Sequence, residues 1–563
     1  MRKFVNDPRA AMREMLEGIA DLSPNLALLA EAGVIARADI PTGPALRGVA
    51  ILSGGGSGHE PAHAGYVGAG MLHAAVAGDV FTSPSVDAVL DGIRAVAGPA
   101  GAVLIVKNYT GDRLNFGLAA ELARAEGIPC EIVVVADDVA LRDTVPHDRR
   151  RGIAGTVLIH KIAGAAAAAG LPLHAIAERA RLAASQLATM GVALGACTVP
   201  AAGRPGFDLA DDEMELGLGI HGEAGVLRAP RAPADAIVAR ILATILDEER
   251  LVPGDRVALL VNGLGGTPPM ELAILARHAL AVLRGAGLTV ERAWCGSFLT
   301  ALEMPGCSLS VLRVDEERLA ALDAPAAAPA WPGPGLIPAA RTLIHAPPRH
   351  PTDTGSHVPD VRLRAMAHAV AAALDGAEAS LTALDTATGD GDLGLSLARG
   401  AAAIRGLPDS AWVDPATALT RMAGVLRHAI AGSSGPFYAT ALLRAASVLP
   451  HPGPAGPADW VTAMRAAVAA IGELGGAAPG DRTMLDALHP AAESLAAALA
   501  RGLAPSAAWA EAVAAAEAGA EATRTMHPRF GRASYLGERA VGHVDAGAAA
   551  VVVWLRAIVP RAA

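Results

Sequence analysis

The sequence changes character near residue 330, and this change constrains the fold more than any other feature. Before it, short apolar runs at residues 49–52, 103–106 and 132–135 alternate with segments of helical periodicity at residues 86–96 and 114–125. Continuous apolar runs of this length are typical of strands that are buried on both faces. Strands that alternate with helices predict βαβ units and therefore a parallel sheet.

A second α/β unit follows the first. Residues 233–246 and 270–283 have the periodicity of helices, and the apolar run at residues 256–261 lies between them and leads into NGLGGT. We therefore expect an α/β domain over residues 1–330, with one subdomain over residues 1–185 and another over residues 186–330.

Proline dominates the next segment, and strand patterns then disappear. Residues 331–358 contain WPGPGLIP and HAPPRHP, a composition typical of an extended, semi-rigid linker. Helical periodicity then recurs at residues 363–381, 416–431, 460–474, 484–500, 507–523 and 547–558. We predict an all-α domain over residues 359–563, a bundle with glycine-rich loops at one end.

The composition excludes several classes of function. The chain has 563 residues and a net charge of −10 without a basic run, so nucleic acid is not an expected partner. Its four cysteines show neither metal-ligand spacing nor a disulfide framework, which favours a reducing cytoplasm. The sequence contains no apolar signal segment and no run long enough to span a bilayer, so we expect a cytoplasmic protein without a membrane partner.

Three aspartates, Asp385, Asp390 and Asp392, crowd together in LDTATGDGDLG, which we interpret as one short turn. Carboxylates this close repel one another unless a cation neutralises them. Oxygen ligands without histidine or cysteine suit Mg²⁺, which proteins hold with a few carboxylates together with substrate phosphates. The segment therefore predicts a site for Mg²⁺ and a nucleotide, and a solvated acidic turn is the alternative.

Two motifs directly follow predicted strands. GGGSGHEPAHAG at residues 54–65 carries His59, and KNYTGD at residues 107–112 carries Lys107 and Asp112. Ligands of open parallel sheets bind outside the carboxyl ends of the strands, so these side chains could line one crevice. Together they form an acid–base set suited to a polar, uncharged metabolite. Tight structural turns or a solvated loop are the alternatives.

A third glycine-rich motif, GLGIHGEAG at residues 217–225, contains His221. Its glycines match the spacing of a dinucleotide-binding loop. We reject that interpretation because we expect no buried strand in the acidic LADDEMEL that precedes it. The glycines instead leave room for a ligand beside the imidazole, although a purely structural histidine is the alternative.

Three further motifs interrupt the helical half. AGSSGP at residues 431–436 places Ser433 and Ser434 where they could bind phosphate oxygens, and an ordinary turn is the alternative. GDRTMLDAL at residues 480–488 and GRASYLGERAVGHVDAGA at residues 531–548 break the helical pattern at loop-to-helix junctions.

Taken together, these motifs resemble the ATP-dependent dihydroxyacetone kinase family in its single-chain, two-domain form. The family order is GGGSGHEP, KNYTGD, GxGIHGE, LDxxxGDGD, GSSG, DRTMLD and SYLGER…HVD, and the resemblance covers essentially the whole chain. It implies an enzyme that phosphorylates dihydroxyacetone with ATP. It also implies an α/β kinase domain that normally dimerises, followed by a nucleotide domain built as a barrel of antiparallel helices.

The resemblance assigns roles in the substrate half. His221 would add to the ketone as a hemiaminal, Asp112 would take the hydroxyl proton, and His59 would assist as an acid–base partner. The residues expected to bind the ketone are Gly56, Ser57, Gly58, His59, Lys107 and Asp112.

In the nucleotide half, the resemblance implies that Asp385, Asp390 and Asp392 hold two Mg²⁺ ions and that Arg532 offsets phosphate charge. The residues expected around ATP are Asp390, Gly391, Asp392, Leu393, Ser433, Ser434, Thr483, Met484, Arg532, Asp545, Ala546 and Gly547. The chain departs from the usual family pattern at Leu393, Ala540 and Ala546, where Cys or His, Ser and Pro are common.

Three alternatives remain open at this point. The first is a kinase for another short carbonyl sugar, such as erythrulose or glyceraldehyde. The second is a lyase that cyclises FAD to a cyclic FMN. The third is a binding module without enzymatic activity, which would not need both His221 and the three aspartates.

Overall fold

The computed structural model describes residues 3–344, 359–430 and 432–558. The chain divides into two compact units, with the division between Leu343 and Ile344. We call residues 1–343 unit 1 and residues 344–563 unit 2. The part of the predicted linker from residue 345 to residue 358 lies outside the described residues, and so does Ala431.

Unit 1 contains two six-stranded sheets and the helices that cover them. The strands are β1 (Leu26–Leu28), β2 (Val34–Arg37), β3 (Ala50–Ser57), β4 (Ala74–Val80), β5 (Ala102–Lys107), β6 (Cys130–Val135), β7 (Leu187–Ala193), β8 (Glu213–Leu216), β9 (Leu227–Pro230), β10 (Arg256–Gly263), β11 (Thr289–Gly296) and β12 (Gly306–Arg313). The helices are α1 (Ala11–Asp21), α2 (Val86–Val96), α3 (Thr110–Ala125), α4 (Thr156–Ala168), α5 (Leu173–Ala184), α6 (Ala234–Glu248), α7 (Pro269–Gly285) and α8 (Glu316–Asp323).

The first sheet has the strand order β1-β2-β4-β3-β5-β6. Its central strands β4, β3, β5 and β6 are parallel, as the apolar runs predicted. The whole sheet is mixed, because the short β1–β2 pair is joined antiparallel at one edge. These strands have 3 and 4 residues, which is too few to produce a distinct apolar run.

Strands β3 and β5 end side by side, and this arrangement positions the two strand-end motifs. All eight residues of β3 are buried, although its second half is SGGGS rather than an apolar run. Glycine is required at Gly54, because a side chain there would collide with the carbonyl oxygen of Val76 on the neighbouring strand. The carboxyl ends of β3 and β5 therefore carry the loop with His59 and the turn with Asp112 to the same edge of the sheet.

The second sheet has the order β11-β10-β12-β7-β8-β9 and is mostly antiparallel, with β10 and β11 as its parallel pair. Helices α6 and α7 pack on it and bury apolar residues such as Ile241 and Leu275. The expectation of a second α/β unit is therefore confirmed.

The beginning of the predicted linker packs on unit 1. Trp331 is buried against Trp294, and the indole nitrogen of Trp294 donates to the carbonyl oxygen of Gly333 at 2.8 Å. The proline-rich segment up to Pro338 thus covers the edge of the second sheet next to β11. Arg284 donates a hydrogen bond to the carbonyl oxygen of Pro338. The domain boundaries drawn from the sequence stay a prediction.

Unit 2 is built from helices. They are α9 (Val361–Gly376), α10 (Glu378–Thr388), α11 (Leu393–Arg405), α12 (Pro415–Ala429), α13 (Ser434–Ala446), α14 (Pro457–Gly475), α15 (Leu485–Ala500), α16 (Pro505–Ala522) and α17 (Ala546–Ala557). Consecutive helices pack against one another, and α17 packs against α9 and α10 to close the ring. The predicted all-α barrel is confirmed.

The connections of this ring alternate between its two ends. Helices α10, α12, α14 and α16 run toward one end, and the loops that follow them lead into α11, α13, α15 and α17. The aspartate segment, the serine pair and the two later motifs of the sequence all fall in these four loops. The expectation of glycine-rich loops at one end is therefore borne out by the topology.

Alanine allows the helices of unit 2 to approach closely. Ala508, Ala512, Ala516 and Ala520 lie at four-residue spacing on α16, and all are buried against α15. At Gly519 the approach is closer still, because a Cβ there would collide with the carbonyl oxygen of Asp486.

No helix among the residues that the structure describes is long and apolar enough to cross a membrane. This finding agrees with the hydropathy of the sequence. The cytoplasmic location stays a prediction.

The contact at Gly519 yields the first prediction. Gly519→Ala should lower the free energy of unfolding of unit 2 by roughly 1–3 kcal/mol, because overpacking forces α15 and α16 apart. Hydrogen–deuterium exchange should show faster exchange of amides in both helices. Gly376→Ala, at the end of α9, is the matched control, because nothing lies within 4 Å of its Cβ position. Equal exchange in the two variants would contradict the close approach.

Candidate active site

His221 lies in the turn after β8, and its orientation is set by Glu223. The Glu223 carboxylate accepts hydrogen bonds from the backbone N–H of His221 at 2.9 Å and from Nδ1 of its ring at 3.0 Å. A carboxylate can only accept, so in the neutral ring Nδ1 carries the proton and Nε2 has the lone pair. The ring is about one-fifth exposed, so a small molecule can reach it.

The local sequence explains this turn, and it corrects one expectation. The segment before the motif was predicted to lack a buried strand, yet Met214, Glu215 and Leu216 of β8 are buried. Glu215 can be buried because it accepts from the backbone N–H of Gly225 and pairs with Arg228. The dinucleotide interpretation still fails, since β8 leads into a second strand rather than a helix.

Three aromatic rings surround the imidazole of His221. The ring centroids of Tyr109, His59 and Phe81 lie 4.6, 4.8 and 5.2 Å from its own. Phe81 also stacks on His59 at 5.0 Å. Sequence reasoning missed Phe81 and Tyr109 as site residues, although Tyr109 lies within KNYTGD and its position there was a usable signal.

His59 is fully buried, with 0% exposure. Its Nδ1 donates to the carbonyl oxygen of Thr300 at 2.7 Å, so Nε2 carries the lone pair. Nε2 has no hydrogen-bond partner among the described residues. Burial, with the charges of Lys107 and His221, holds the pKa of His59 well below its usual value. The ring is therefore neutral at neutral pH, and its Nε2 can accept a hydrogen bond from a hydroxyl group.

Lys107 and Asp112 lie at the end of β5 and in the first turn of α3. A Cβ on Gly55 would lie 2.7 Å from Nζ of Lys107 and 3.7 Å from Oδ2 of Asp112, so both side chains reach the end of β3. Ser83 donates to the other carboxylate oxygen of Asp112 and orients it. Burial lowers the pKa of Lys107, and the charges of Asp112 and Glu60 oppose that shift.

Two residues of the predicted ketone-binding loop, Ser57 and Gly58, make hydrogen bonds within the protein. The hydroxyl group of Ser57 donates to the carbonyl oxygen of Gly78 at 2.7 Å. The backbone N–H of Gly58 donates to the half-buried carboxylate of Glu60 at 2.9 Å. Burial raises the pKa of Glu60, a residue that sequence reasoning did not single out.

We call His59, Lys107, Asp112 and His221 the histidine site.

The three aspartates of unit 2 converge, but not within one turn as predicted. Asp385 lies in α10, and only Asp390 and Asp392 lie in the turn before α11. Oδ2 of Asp385 accepts hydrogen bonds from the backbone N–H groups of Asp392 and Leu393 at 2.9 and 3.1 Å. These hydrogen bonds hold the turn against the last part of helix α10. Carboxylate oxygens of the three aspartates nevertheless lie within 4.8 Å of one another. We call these residues the aspartate site.

The aspartate site has the chemistry of a Mg²⁺ site. It offers carboxylate oxygens alone, and Asp390 and Asp392 are exposed to solvent. The guanidinium group of Arg532 pairs with Asp390 and offsets part of the negative charge. The residues present therefore fit a small divalent cation that also binds phosphates.

The other predicted nucleotide residues occupy the neighbouring loops at the same end of the ring. Ser433 and Ser434 lie at the N-terminus of α13, where backbone N–H groups and the helix dipole favour anions. Asp545 caps α17 by accepting from Ala548 at 2.8 Å, and burial raises its pKa to about 6. A Cβ on Gly547 would lie 3.5 Å from Cβ of Met484, so the last two loops are in contact.

Arg482 ties these two loops together, and sequence reasoning did not assign it a role. Its guanidinium group is buried and donates to the carbonyl oxygens of Ala540 and His543, both at 2.9 Å. Thr483, the next residue, donates its backbone N–H to Asp486 at 2.7 Å. These hydrogen bonds hold Thr483 and Met484 next to the start of α17.

The hydrogen bond between Glu223 and His221 yields a pH-dependent prediction. Burial would raise the pKa of Glu223, but His221 more than offsets this and lowers it to about 2 from 4.5. The carboxylate therefore adds stability that is complete above pH 4.5 and is lost as the pH falls toward 2. Because the side chain is 37% exposed, Glu223→Gln should cost only about 1 kcal/mol at neutral pH.

Urea unfolding of wild type and Glu223→Gln between neutral and acidic pH tests this. The difference in unfolding free energy should shrink as the pH falls below 4.5. Glu178→Gln, at an exposed position on α5, should match wild type at every pH. A difference between wild type and Glu223→Gln that stays constant with pH would show that the ionised carboxylate is not what stabilises the turn.

Comparison with known proteins places the chain in a family. A Dak1 domain matches residues 17–330, and a DAK2 domain matches residues 387–560. A triokinase/FMN cyclase of Homo sapiens is 44% identical over 99% of this chain and 98% of its own length. A putative 3,4-dihydroxy-2-butanone kinase of Solanum lycopersicum is also 44% identical, over 99% of this chain and 97% of its own.

A solved structure covers both units. The crystal structure of the dihydroxyacetone kinase from C. freundii in complex with AMP-PNP and Mg²⁺ is 36% identical, with a TM-score of 0.62, and covers 99% of each chain. It has the same order of an α/β domain and a helical domain, which confirms the fold class inferred from the motifs. The chain therefore belongs to the two-domain dihydroxyacetone kinase family.

Proposed function

We propose that this protein transfers the γ-phosphate of ATP to dihydroxyacetone, which it first captures covalently on His221. The observation that carries the proposal is the hydrogen bond from Nδ1 of His221 to Glu223, because it leaves Nε2 with a lone pair in a pocket of aromatic rings. The names of the two relatives support a kinase, and the name of the C. freundii protein supports dihydroxyacetone as the substrate.

In the capture step, Nε2 of His221 attacks the carbonyl carbon of the ketone, and the C=O bond becomes a C–O single bond. The alkoxide oxygen so formed takes up one proton, and the ring loses its Nδ1 proton past Glu223 to solvent, so the adduct is a neutral hemiaminal. The Glu223 carboxylate stabilises the positive charge that the ring carries in between. Lys107 and the lone pair of His59 would hydrogen-bond the oxygens of the bound ketone, together with the loop from Gly56 to Gly58.

Capture selects carbonyl compounds and holds one hydroxyl group in place for phosphorylation. Asp112, oriented by Ser83, would take the proton of that hydroxyl group as its oxygen attacks the γ-phosphate. Such transfer depends on positioning and on neutralising charge rather than on covalent help from the protein. The histidine site supplies the positioning.

The aspartate site would supply the charge neutralisation. Asp385, Asp390 and Asp392 would hold Mg²⁺, which when bound offsets the negative charge of the ATP phosphates. The residues proposed to line ATP are Asp390, Gly391, Asp392, Leu393, Ser433, Ser434, Thr483, Met484, Arg532, Asp545, Ala546 and Gly547. The C. freundii kinase, whose structure is a complex with AMP-PNP and Mg²⁺, supports this assignment. A homodimer is part of the same proposal.

Relatives named for other activities define the alternatives. The tomato relative is named for a four-carbon ketose, and the human relative is named for FMN cyclisation as well as triokinase activity. A panel of dihydroxyacetone, erythrulose, glyceraldehyde and 3,4-dihydroxy-2-butanone, with ADP release as the readout, separates the sugars. FAD cleavage with Mn²⁺, in the absence of turnover on any of these, would instead identify a lyase.

His221→Ala should abolish capture. Intact-protein mass spectrometry under mild conditions should show the dihydroxyacetone adduct on wild type and none on the variant. Among the described residues of unit 1, His221 is the histidine whose ring is held by Glu223 with Nε2 available for attack. The matched control is His174→Ala, an exposed histidine on α5, which should keep the adduct. An adduct that persists on His221→Ala would exclude His221 as the nucleophile.

Asp390→Asn should abolish binding of Mg–AMP-PNP in calorimetry while the ketone adduct forms as in wild type. Loss of one carboxylate removes a ligand and leaves Arg532 without its counter-charge. Asp375→Asn removes a carboxylate that pairs with Arg405 at 2.6 Å elsewhere in unit 2, and it should bind the nucleotide normally. Unaltered nucleotide binding by Asp390→Asn would refute the metal site.

A further inference from the structure

A row of three buried titratable groups runs from Lys107 through His63 to His160. Nζ of Lys107 lies 3.0 Å from Nε2 of His63, and Nδ1 of His63 lies 2.9 Å from Nε2 of His160. The exposed fractions of Lys107, His63 and His160 are 1%, 5% and 0%. Burial of polar side chains is costly unless they are hydrogen-bonded, so the pairing of these three groups with one another is what allows them to be buried.

The row joins three elements of unit 1. His63 lies in the loop after β3, Lys107 ends β5, and His160 lies in the middle of α4. Ser53 on β3 helps to seat His63, since its hydroxyl group lies 3.4 Å from Nδ1 while donating to the carbonyl oxygen of Ile105 at 2.7 Å. The two imidazoles therefore link the end of β5 to the helix that covers the sheet.

The donors and acceptors of the row follow from its first member. An ammonium group can only donate, so Nε2 of His63 must accept from Lys107. Nδ1 of His63 then carries the proton and donates to Nε2 of His160, which leaves a proton on Nδ1 of His160. That last nitrogen is buried without a hydrogen-bond partner among the described residues. The orientation of His63 toward Lys107 is therefore accompanied by an unpaired N–H group on the buried ring of His160.

Lys107 has charged neighbours besides the row. Asp112 on α3 and Glu60 in the loop after β3 both act on it through their charges. His59 lies in the same loop as Glu60, and its unpartnered Nε2 belongs to the histidine site. A hydrogen bond joins His63 directly to Nζ of Lys107, and this contact can fix the direction of the ammonium group.

We propose that His63 and His160 are positioning residues for Lys107, which together aim its ammonium group at an oxygen of the captured ketone. This inference rests on the proposed function, because it assigns Lys107 a hydrogen bond to the substrate. It adds two residues that have no contact with the ketone and act only through Lys107.

The charge states of the two histidines agree with this role. Burial and the nearby charge of Lys107 lower the pKa of His63 well below its usual value and that of His160 to about 3. Both rings are therefore neutral at neutral pH, and a neutral ring is needed to accept a hydrogen bond from an ammonium group.

Two isosteric variants of His63 separate positioning from mere packing. In His63→Gln the side-chain amide falls where Nε2 was, so an oxygen can still accept from Lys107. In His63→Asn the amide falls where Nδ1 was, so the contact with His160 persists and the one with Lys107 is lost. His63→Asn should lower kcat/KM for dihydroxyacetone roughly 10- to 100-fold, the range for losing a hydrogen bond to a charged group. His63→Gln should stay within about threefold of wild type.

Two further measurements and a control variant complete the test. Adduct formation against ketone concentration, by intact-protein mass spectrometry, should shift to higher concentration in His63→Asn. Affinity for Mg–AMP-PNP, by calorimetry, should be unchanged in both variants, since His63 is in unit 1. His73→Asn is the matched control, because Nδ1 of His73 accepts from Ile51 on the same sheet at 3.1 Å and lies outside the row; it should leave kcat/KM unchanged.

The outcomes distinguish the inference from the function on which it rests. Wild-type kcat/KM in His63→Asn, or an equal loss in His63→Gln and His63→Asn, would overturn the positioning role while the kinase assignment stands. A wild-type protein that neither captures nor phosphorylates any short ketose would overturn the proposed function, and the inference with it.

Discussion

The hydrogen bond between Glu223 and His221 is the interaction on which the chemistry of the front half depends. It fixes the ring proton on Nδ1, and so it decides which nitrogen can attack a carbonyl carbon. The backbone N–H of His221 donates to the same carboxylate, so the turn and the side chain are held by one group. Glycine at Gly219 makes this possible, because a side chain there would collide with Glu223.

Burial organises the rest of the histidine site. His59, Lys107 and Asp112 follow the ends of two neighbouring parallel strands, β3 and β5, and all three are buried. In such a dry pocket each hydrogen bond and charge counts for more than in water, and each unpaired group is more costly. The unpartnered Nε2 of His59 is such a group, and an incoming hydroxyl group would satisfy it. Unit 2 instead keeps Asp390 and Asp392 exposed, as suits a cation that arrives with a nucleotide.

The sequence predicted what depends on local pattern and on strand order. Apolar runs located β3, β5 and β6, helical periodicity located α2 within the observed bounds, and the motifs at the strand ends identified His59, Lys107 and Asp112. It could not predict Phe81 or Tyr109 as walls around His221, because their contacts join segments far apart in the chain. It also misjudged β8 and Asp385, since a buried acidic residue and a carboxylate inside a helix are stabilised by backbone N–H groups that a linear pattern does not reveal.

The central claim is that Nε2 of His221 bonds to the carbonyl carbon of a short ketone. The most direct measurement is NMR on protein labelled with ¹⁵N-histidine and mixed with dihydroxyacetone carrying ¹³C at its carbonyl carbon. The account predicts a one-bond ¹³C–¹⁵N coupling to Nε2 of His221 and none to its Nδ1. A coupling to Nδ1, or a bound ketone without coupling to any histidine nitrogen, would contradict it.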